Sequence, residues 1–154
     1  PGDAEYDASF IDNALEVMDE NSFIVGSRKI AGEYAGKTFL RKFLSHGLNF
    51  LTTLLFSSKA IESSGVKLFR RNWALRRVHN LIETGFPWQI EIMYYALLDG
   101  LNIKHVKSKT LQRRDISKSS VDIINTIYAL FNATLKYGFK LRKARLKRML
   151  NMTD

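Results

Sequence analysis

ASFIDNALEVMDENSFIVGS, residues 8–27, carries two different periodicities in one short stretch. Phe10, Ile11, Ala14, Leu15 and Met18 recur at spacings of one, three and four, which predicts a helix over 8–20 with one apolar face. Phe23-Ile24-Val25, set between Asn21-Ser22 and Gly26-Ser27, is too short for a helix and β-branched enough for a buried strand. A helix that hands over to a buried strand is a unit of layered α/β architecture.

Reading outward, the alternation continues. After a loop with Gly32 and Gly36, the positions Phe39, Leu40, Phe43, Leu44, Leu48, Leu51, Leu54 and Leu55 repeat with helical period, predicting an amphipathic helix over 37–56 with a basic start. Ser63-Ser64-Gly65 marks a turn, Val66 to Phe69 a short strand, and Trp73 to Ile82 a helix stopped by Gly85-Phe86-Pro87. Pro87 is suited to open the next helix, 88–98, which Asp99-Gly100 closes. Residues 102–110 read as a third strand, and Ile124, Ile127, Tyr128, Phe131 and Leu135 put one apolar stripe on a long helix whose end, 136–148, is basic on nearly all sides. The expected fold is α/β: a small sheet with flanking helices, divided into residues 1–120 and a basic C-terminal helix over 121–154.

Charge is unevenly spread over this frame. The formal net charge is +9, yet the first twenty residues hold Asp3, Glu5, Asp7, Asp12, Glu16, Asp19 and Glu20 and no Lys or Arg. The bases Lys136, Lys140, Arg142, Lys143, Arg145, Lys147 and Arg148 crowd the other end without an acid among them. One end suits a cation or a helix start, the other an anionic surface. With no cysteine, disulfides and thiolate metal sites are excluded. The longest uncharged runs, Gly47 to Ser58 and Ile123 to Leu135, fall short of the roughly 20 residues a membrane span needs.

Asp3, Glu5 and Asp7 lie at spacing two, so in an extended or turned segment their carboxylates face one side and offer oxygen ligands to a hard divalent cation. The same acids also fit the capping of the helix that follows. Glu91 reads either as a carboxylate serving the acceptor side of a site or as a polar residue of a helix face. Phe86, Trp88, Tyr94 and Tyr95 fit a sugar or lipid pocket, or ordinary packing; His79 and His105 stand alone and read as structural.

A set of motifs joins these residues. Asp3-Ala4-Glu5, Ile24-Val25-Gly26-Ser27-Arg28 and Arg41-Lys42-Phe43-Leu44-Ser45-His46-Gly47-Leu48-Asn49-Phe50-Leu51 are followed by Ser63-Ser64-Gly65-Val66-Lys67-Leu68-Phe69-Arg70-Arg71. Gly85-Phe86-Pro87-Trp88-Gln89-Ile90-Glu91 comes next, then Arg113-Arg114 with Ser117-Lys118. In this order, over residues 3–120, they resemble the C-terminal part of family 2 inverting glycosyltransferases of the polyprenyl-phosphate type, such as dolichyl-phosphate mannose or glucose synthases.

The resemblance implies the C-terminal portion of a GT-A type fold that transfers a hexose from a nucleotide sugar to a polyprenyl phosphate. It implies Mg²⁺ or Mn²⁺ on Asp3, Glu5 and Asp7 and catalytic roles for Asp3, Glu5 and Glu91. It further implies that Arg28, Arg41, Ser45, Arg113 or Arg114, and Lys118 line the acceptor phosphate site. Glu5 departs from the family's aspartate, His46 from its arginine, and Ile61 stands where it has an aspartate, with Glu62 beside it. The family's N-terminal nucleotide-binding half has no counterpart in these residues, so another stretch of chain or a partner chain is expected to supply it, and 1–154 alone is expected to transfer sugar slowly or not at all. The implied location is cytoplasmic, peripheral at the cytoplasmic face of a membrane. The leucine-rich basic tail reads either as a helix lying on anionic lipid or as a solvated helix. Two further readings are a noncatalytic remnant of such an enzyme and a module for anionic surfaces or nucleic acid. Nucleic acid is the weaker of these, because the tail interleaves only Tyr137 and Phe139 with its bases.

Overall fold

Strand β1, Ser22–Ser27, is buried along its whole length and forms the middle of a three-stranded sheet of order β2-β1-β3. The computed structural model describes residues 7–27, 30, 39–56, 65–109 and 123–151, and of helix residues 39–45, 49 and 123–124 the backbone alone. β2, Lys67–Phe69, pairs antiparallel with β1, placing Phe23 opposite Phe69 and Val25 opposite Lys67. β3, Asn102–Lys107, pairs in parallel, with Ser22 opposite Asn102 and Ser27 opposite Lys107. A central strand covered on both faces needs apolar residues without alternation, which Phe23-Ile24-Val25 supplies.

The two faces of β1 build two cores. Phe23 and Val25 join the larger one, with Trp73, Phe56, Ile90, Met93, Tyr137 and Leu141; Ile24 joins Phe10, Ala14 and Val106 in the smaller. Phe23 stacks on Phe69 at 5.3 Å, and Trp73 meets both rings edge-on at 5.6 and 5.4 Å. The helices are α1 Ser9–Val17, α2 Phe39–Phe56, α3 Arg71–Arg77, α4 Trp88–Leu98 and α5 Ile123–Asn151. The mixed α/β layering, the small sheet and the long C-terminal helix agree with the sequence reading.

Several expected boundaries move, each for a local reason. Helix α1 stops at Val17 rather than residue 20, because Met18 is extended and Asp19 folds a turn, its Oδ1 accepting the Asn21 N–H at 2.9 Å. Phe10 and Ala14 are buried, whereas Ile11 and Leu15, expected on the same face, are about half exposed. The helix expected over 73–82 is α3 followed by a 3-10 turn, Val78–Asn80, and Ile82 points to solvent. β3 ends at Lys107. Gly100 closes α4 at φ 77°, as the Asp99-Gly100 reading requires.

The C-terminal helix is corrected most. Its tail is not basic on all sides: Tyr137, Gly138 and Leu141 are buried against α2 and α4. A Cβ on Gly138 would stand 2.6 Å from the Leu55 Cβ, so the missing side chain is what lets α2 approach. Arg142 donates to the carbonyls of Leu54 and Leu55 and Arg145 to that of Phe56, filling acceptors that the end of α2 leaves without helical partners.

Candidate functional site at the carboxyl end of the sheet

The carboxyl ends of the parallel strands β1 and β3 lie side by side, and β2 begins at the same edge because it runs the other way. Parallel α/β sheets place ligands outside such strand ends. The Ser108 N–H donates to Ser27 O at 3.2 Å, the Gly26 N–H to Val66 O at 2.7 Å, and the Asp7 N–H to Lys109 O at 3.0 Å.

Two glycines make the edge possible. A Cβ on Gly26 would stand 2.6 Å from Val66 Cγ1 and 2.8 Å from Ser108 Cβ; one on Gly65 would stand 2.2 Å from the carbonyl oxygen of Gly26. Both positions exclude every larger residue without backbone movement. The glycines of Ile24-Val25-Gly26-Ser27-Arg28 and of Ser63-Ser64-Gly65 are therefore in contact with each other. Ser27 and Ser108 are buried beside them, and the Ser27 hydroxyl accepts the Ile30 N–H at 3.2 Å.

Asp7 is the described member of the acidic cluster. Its Oδ1 accepts the Ser9 N–H at 2.7 Å, and hydrogen bonds from the Ser9 side chain and backbone, with the charge of Lys109, hold its carboxyl below the usual range. It thus serves the start of α1 while staying anionic and half-buried. Asp3 and Glu5 lie outside the described residues, and among the described ones no group of three or more His, Asp or Glu is arranged to hold a metal. Arg28, Ile61, Glu62, Arg113, Arg114 and Lys118 also lie outside them; Arg41 and Ser45 sit one turn apart on the α2 backbone, their side chains not described.

Two residues not singled out in the sequence link the motifs. Lys67 of β2 is half-buried, donating to Gly65 O at 2.9 Å and to Gln89 Oε1 at 2.7 Å, and burial pushes its ammonium down to about 7. It ties the turn at Gly65 to the first turn of α4. Glu91, two residues on, is fully buried, so it is not a solvated helix-face residue. Its Oε2 accepts the N–H groups of Ile82 and Glu83 at 2.9 and 2.8 Å, and its Oε1 accepts the Tyr137 hydroxyl at 2.8 Å.

Burial, then the hydrogen bond to Glu91 and its charge, push the Tyr137 phenol well above its ordinary value. Glu83, within 3.1 Å of the same hydroxyl, is held below the usual carboxylate range first by its hydrogen bond from Lys136. Tyr137 had a signal in the sequence: Leu130, Ala133, Thr134, Tyr137 and Leu141 are spaced three and four apart, and all are buried. Trp88, Tyr94 and Tyr95 pack against the larger core, whereas Phe86 is exposed. His79 is exposed in the 3-10 turn and His105 half-buried on β3.

No protein-family model matches this chain, and no solved structure matches it significantly.

Proposed function

We propose that the chain forms the acceptor-side part of a GT-A type, inverting glycosyltransferase of family 2, moving a hexose from a nucleotide sugar onto a polyprenyl phosphate. The observation that carries this reading is the contact of Gly26 with Gly65 at the carboxyl end of the sheet, which brings two separate motifs of the resemblance to one edge. Supporting it, Lys67 and Gln89 join the third motif to the same edge, and Asp7 is hydrogen-bonded to Lys109 there.

Asp3, Glu5 and Asp7 are the residues that would hold Mg²⁺ or Mn²⁺. The ionised state of Asp7 fits oxygen ligation of a hard cation, and the ion's chemistry is to neutralise charge on the departing nucleoside diphosphate. Arg28, Arg41, Ser45, Arg113 or Arg114, and Lys118 would bind the acceptor phosphate, whose oxygen is already anionic near neutral pH and attacks the anomeric carbon as the bond to the diphosphate breaks. Such a nucleophile needs orientation more than a general base. Glu91 acts as a positioning residue: it fixes the loop before α4 and thereby the turn that carries Gln89.

Equilibrium binding of farnesyl phosphate tests the acceptor half. The wild-type chain binds it and ignores farnesol, and Arg28→Gln with Arg41→Gln weakens binding about tenfold or more, the scale of losing charge-assisted bonds. Equal binding of the phosphate by wild type and double variant would sink the assignment.

A further inference from the structure

Helix α1 keeps apolar side chains on its outer face. Ile11, Leu15 and Val17 are 39 to 57% exposed. Asp12 and Glu16, one turn apart beside them, are exposed and take part in no salt bridge among the described residues. Helix α3 and the 3-10 turn after it carry a counterpart of opposite charge. Leu75, Val78 and Ile82 are 49 to 74% exposed, and the exposed Arg71 and Arg76 flank them, also outside the salt bridges of the described residues. Apolar side chains grouped with charge of one sign, rather than scattered singly, mark interaction surfaces.

The sheet keeps these two faces apart within one chain. Through Phe10 and Ala14, α1 packs on the side of the sheet that holds Ile24; through Trp73, α3 packs on the side that holds Phe23 and Val25. Neither face can therefore cover the other in the same molecule.

We propose that α1 of one copy docks on α3 and the Val78–Asn80 turn of a second copy. The occupant is argued from charge: Asp12 and Glu16 meet Arg71 and Arg76 while Ile11 and Leu15 meet Leu75 and Val78, so attraction and apolar burial favour the same contact. Like faces repel, since two copies of α1 would set carboxylate against carboxylate and two copies of α3 guanidinium against guanidinium. Length agrees as well: α1 has nine residues, and α3 has seven, continued by the three of the turn. Neighbouring charges are already spent inside the chain, Arg77 on Asp99 and Asp19 on Lys104. Because the two faces differ, the contact is head to tail, each copy using α1 on one neighbour and α3 on another.

The inference does not rest on the sugar-transfer reading, and its test uses no sugar nucleotide or phosphate. Sedimentation velocity of the full chain between about 5 and about 200 μM covers the range in which so small a contact associates. The average mass rises with concentration, and about 0.5 M salt weakens the association about fivefold or more. Ile11→Ser with Leu15→Ser, and Leu75→Ser with Val78→Ser, each weaken it about tenfold or more, with the circular dichroism of wild type because these side chains are exposed. Asp12→Asn with Glu16→Gln, which leaves the apolar residues in place, removes the salt dependence. Mixed together, the two serine variants form a one-to-one complex, since each retains the face that the other has lost; misfolded variants would not. A wild-type chain that stays monomeric over this range, association undiminished in either serine variant, or a mixture of the two that stays monomeric overturns the proposal.

Discussion

The Tyr137 hydroxyl donates a 2.8 Å hydrogen bond to Oε1 of Glu91, 46 residues away, inside the core where α4 packs on α5. With the Ile82 and Glu83 N–H groups on the other oxygen, it closes a buried set in which each group depends on the next. Tyr137→Phe removes one donor from a buried carboxylate and costs about 1–3 kcal/mol. Glu91→Ala strands the Ile82 and Glu83 N–H groups, leaves the Tyr137 hydroxyl only Glu83, and opens a cavity, at about 3–5 kcal/mol. Urea denaturation measures both. Wild-type stability in Glu91→Ala would mean that the loop before α4 is held by something else.

Gly138→Ala sets two effects against each other. Alanine gains about 1 kcal/mol of helix propensity over glycine. Its Cβ would stand 2.6 Å from the Cβ of Leu55, an atom fixed to the α2 backbone, and such overpacking costs about 1–3 kcal/mol. The expected net change is destabilisation by about 1 kcal/mol, read as a lower melting temperature. A stabilised variant would show that α2 and α5 are not packed this closely.

Lys67 predicts a pH dependence. Burial lowers its folded value to about 7 from an ordinary 10.5, so between these values the unfolded chain holds a proton that the folded chain has released. Stability attributable to this group rises as pH rises through that window, and below it the cost of burying the charge stands in full. In Lys67→Met the rise disappears. Melting temperatures of wild type and variant between about pH 7 and about pH 9.5 give the test, a window that ends before tyrosine ionisation in the unfolded chain adds its own slope. Parallel curves would contradict it.

Gly65→Ala puts a Cβ 2.2 Å from a backbone oxygen, where no rotamer offers relief. A loss of about 3 kcal/mol or more is expected, at the upper end of overpacking penalties. Gly47→Ala, whose Cβ meets nothing within 4 Å, is the control: with no overpacking to oppose it, helix propensity raises stability by up to about 1 kcal/mol in thermal unfolding.

Much of the fold was legible because period and punctuation agree. Phe23-Ile24-Val25, too short for a helix and β-branched enough for a buried strand, is one, and Asp99-Gly100 ends α4 with the positive φ that glycine permits. The end of α1 was less legible: the choice between helix and turn at Asp19 depends on Ser22 and on Lys104, which reaches it from β3 at 2.7 Å. The tail misled for a similar reason. Arg142 and Arg145 look solvated in a linear reading, and only the position of α2 gives them acceptors. Of the candidate site, the glycines were visible as motif members, but their mutual contact, and Lys67 beneath them, follow from strand pairing that composition does not encode.

The central claim is that the acids before α1 hold a divalent ion against a diphosphate. Calorimetry of Mn²⁺ with a nucleoside diphosphate tests it on wild type, Asp3→Asn, Glu5→Gln and, as a control acid on α1, Glu16→Gln. Because the nucleotide-binding half has no counterpart in these residues, the account predicts weak but measurable binding by wild type and Glu16→Gln and its loss in both other variants. No binding by the wild-type chain, or binding unchanged in Asp3→Asn and Glu5→Gln, would contradict it.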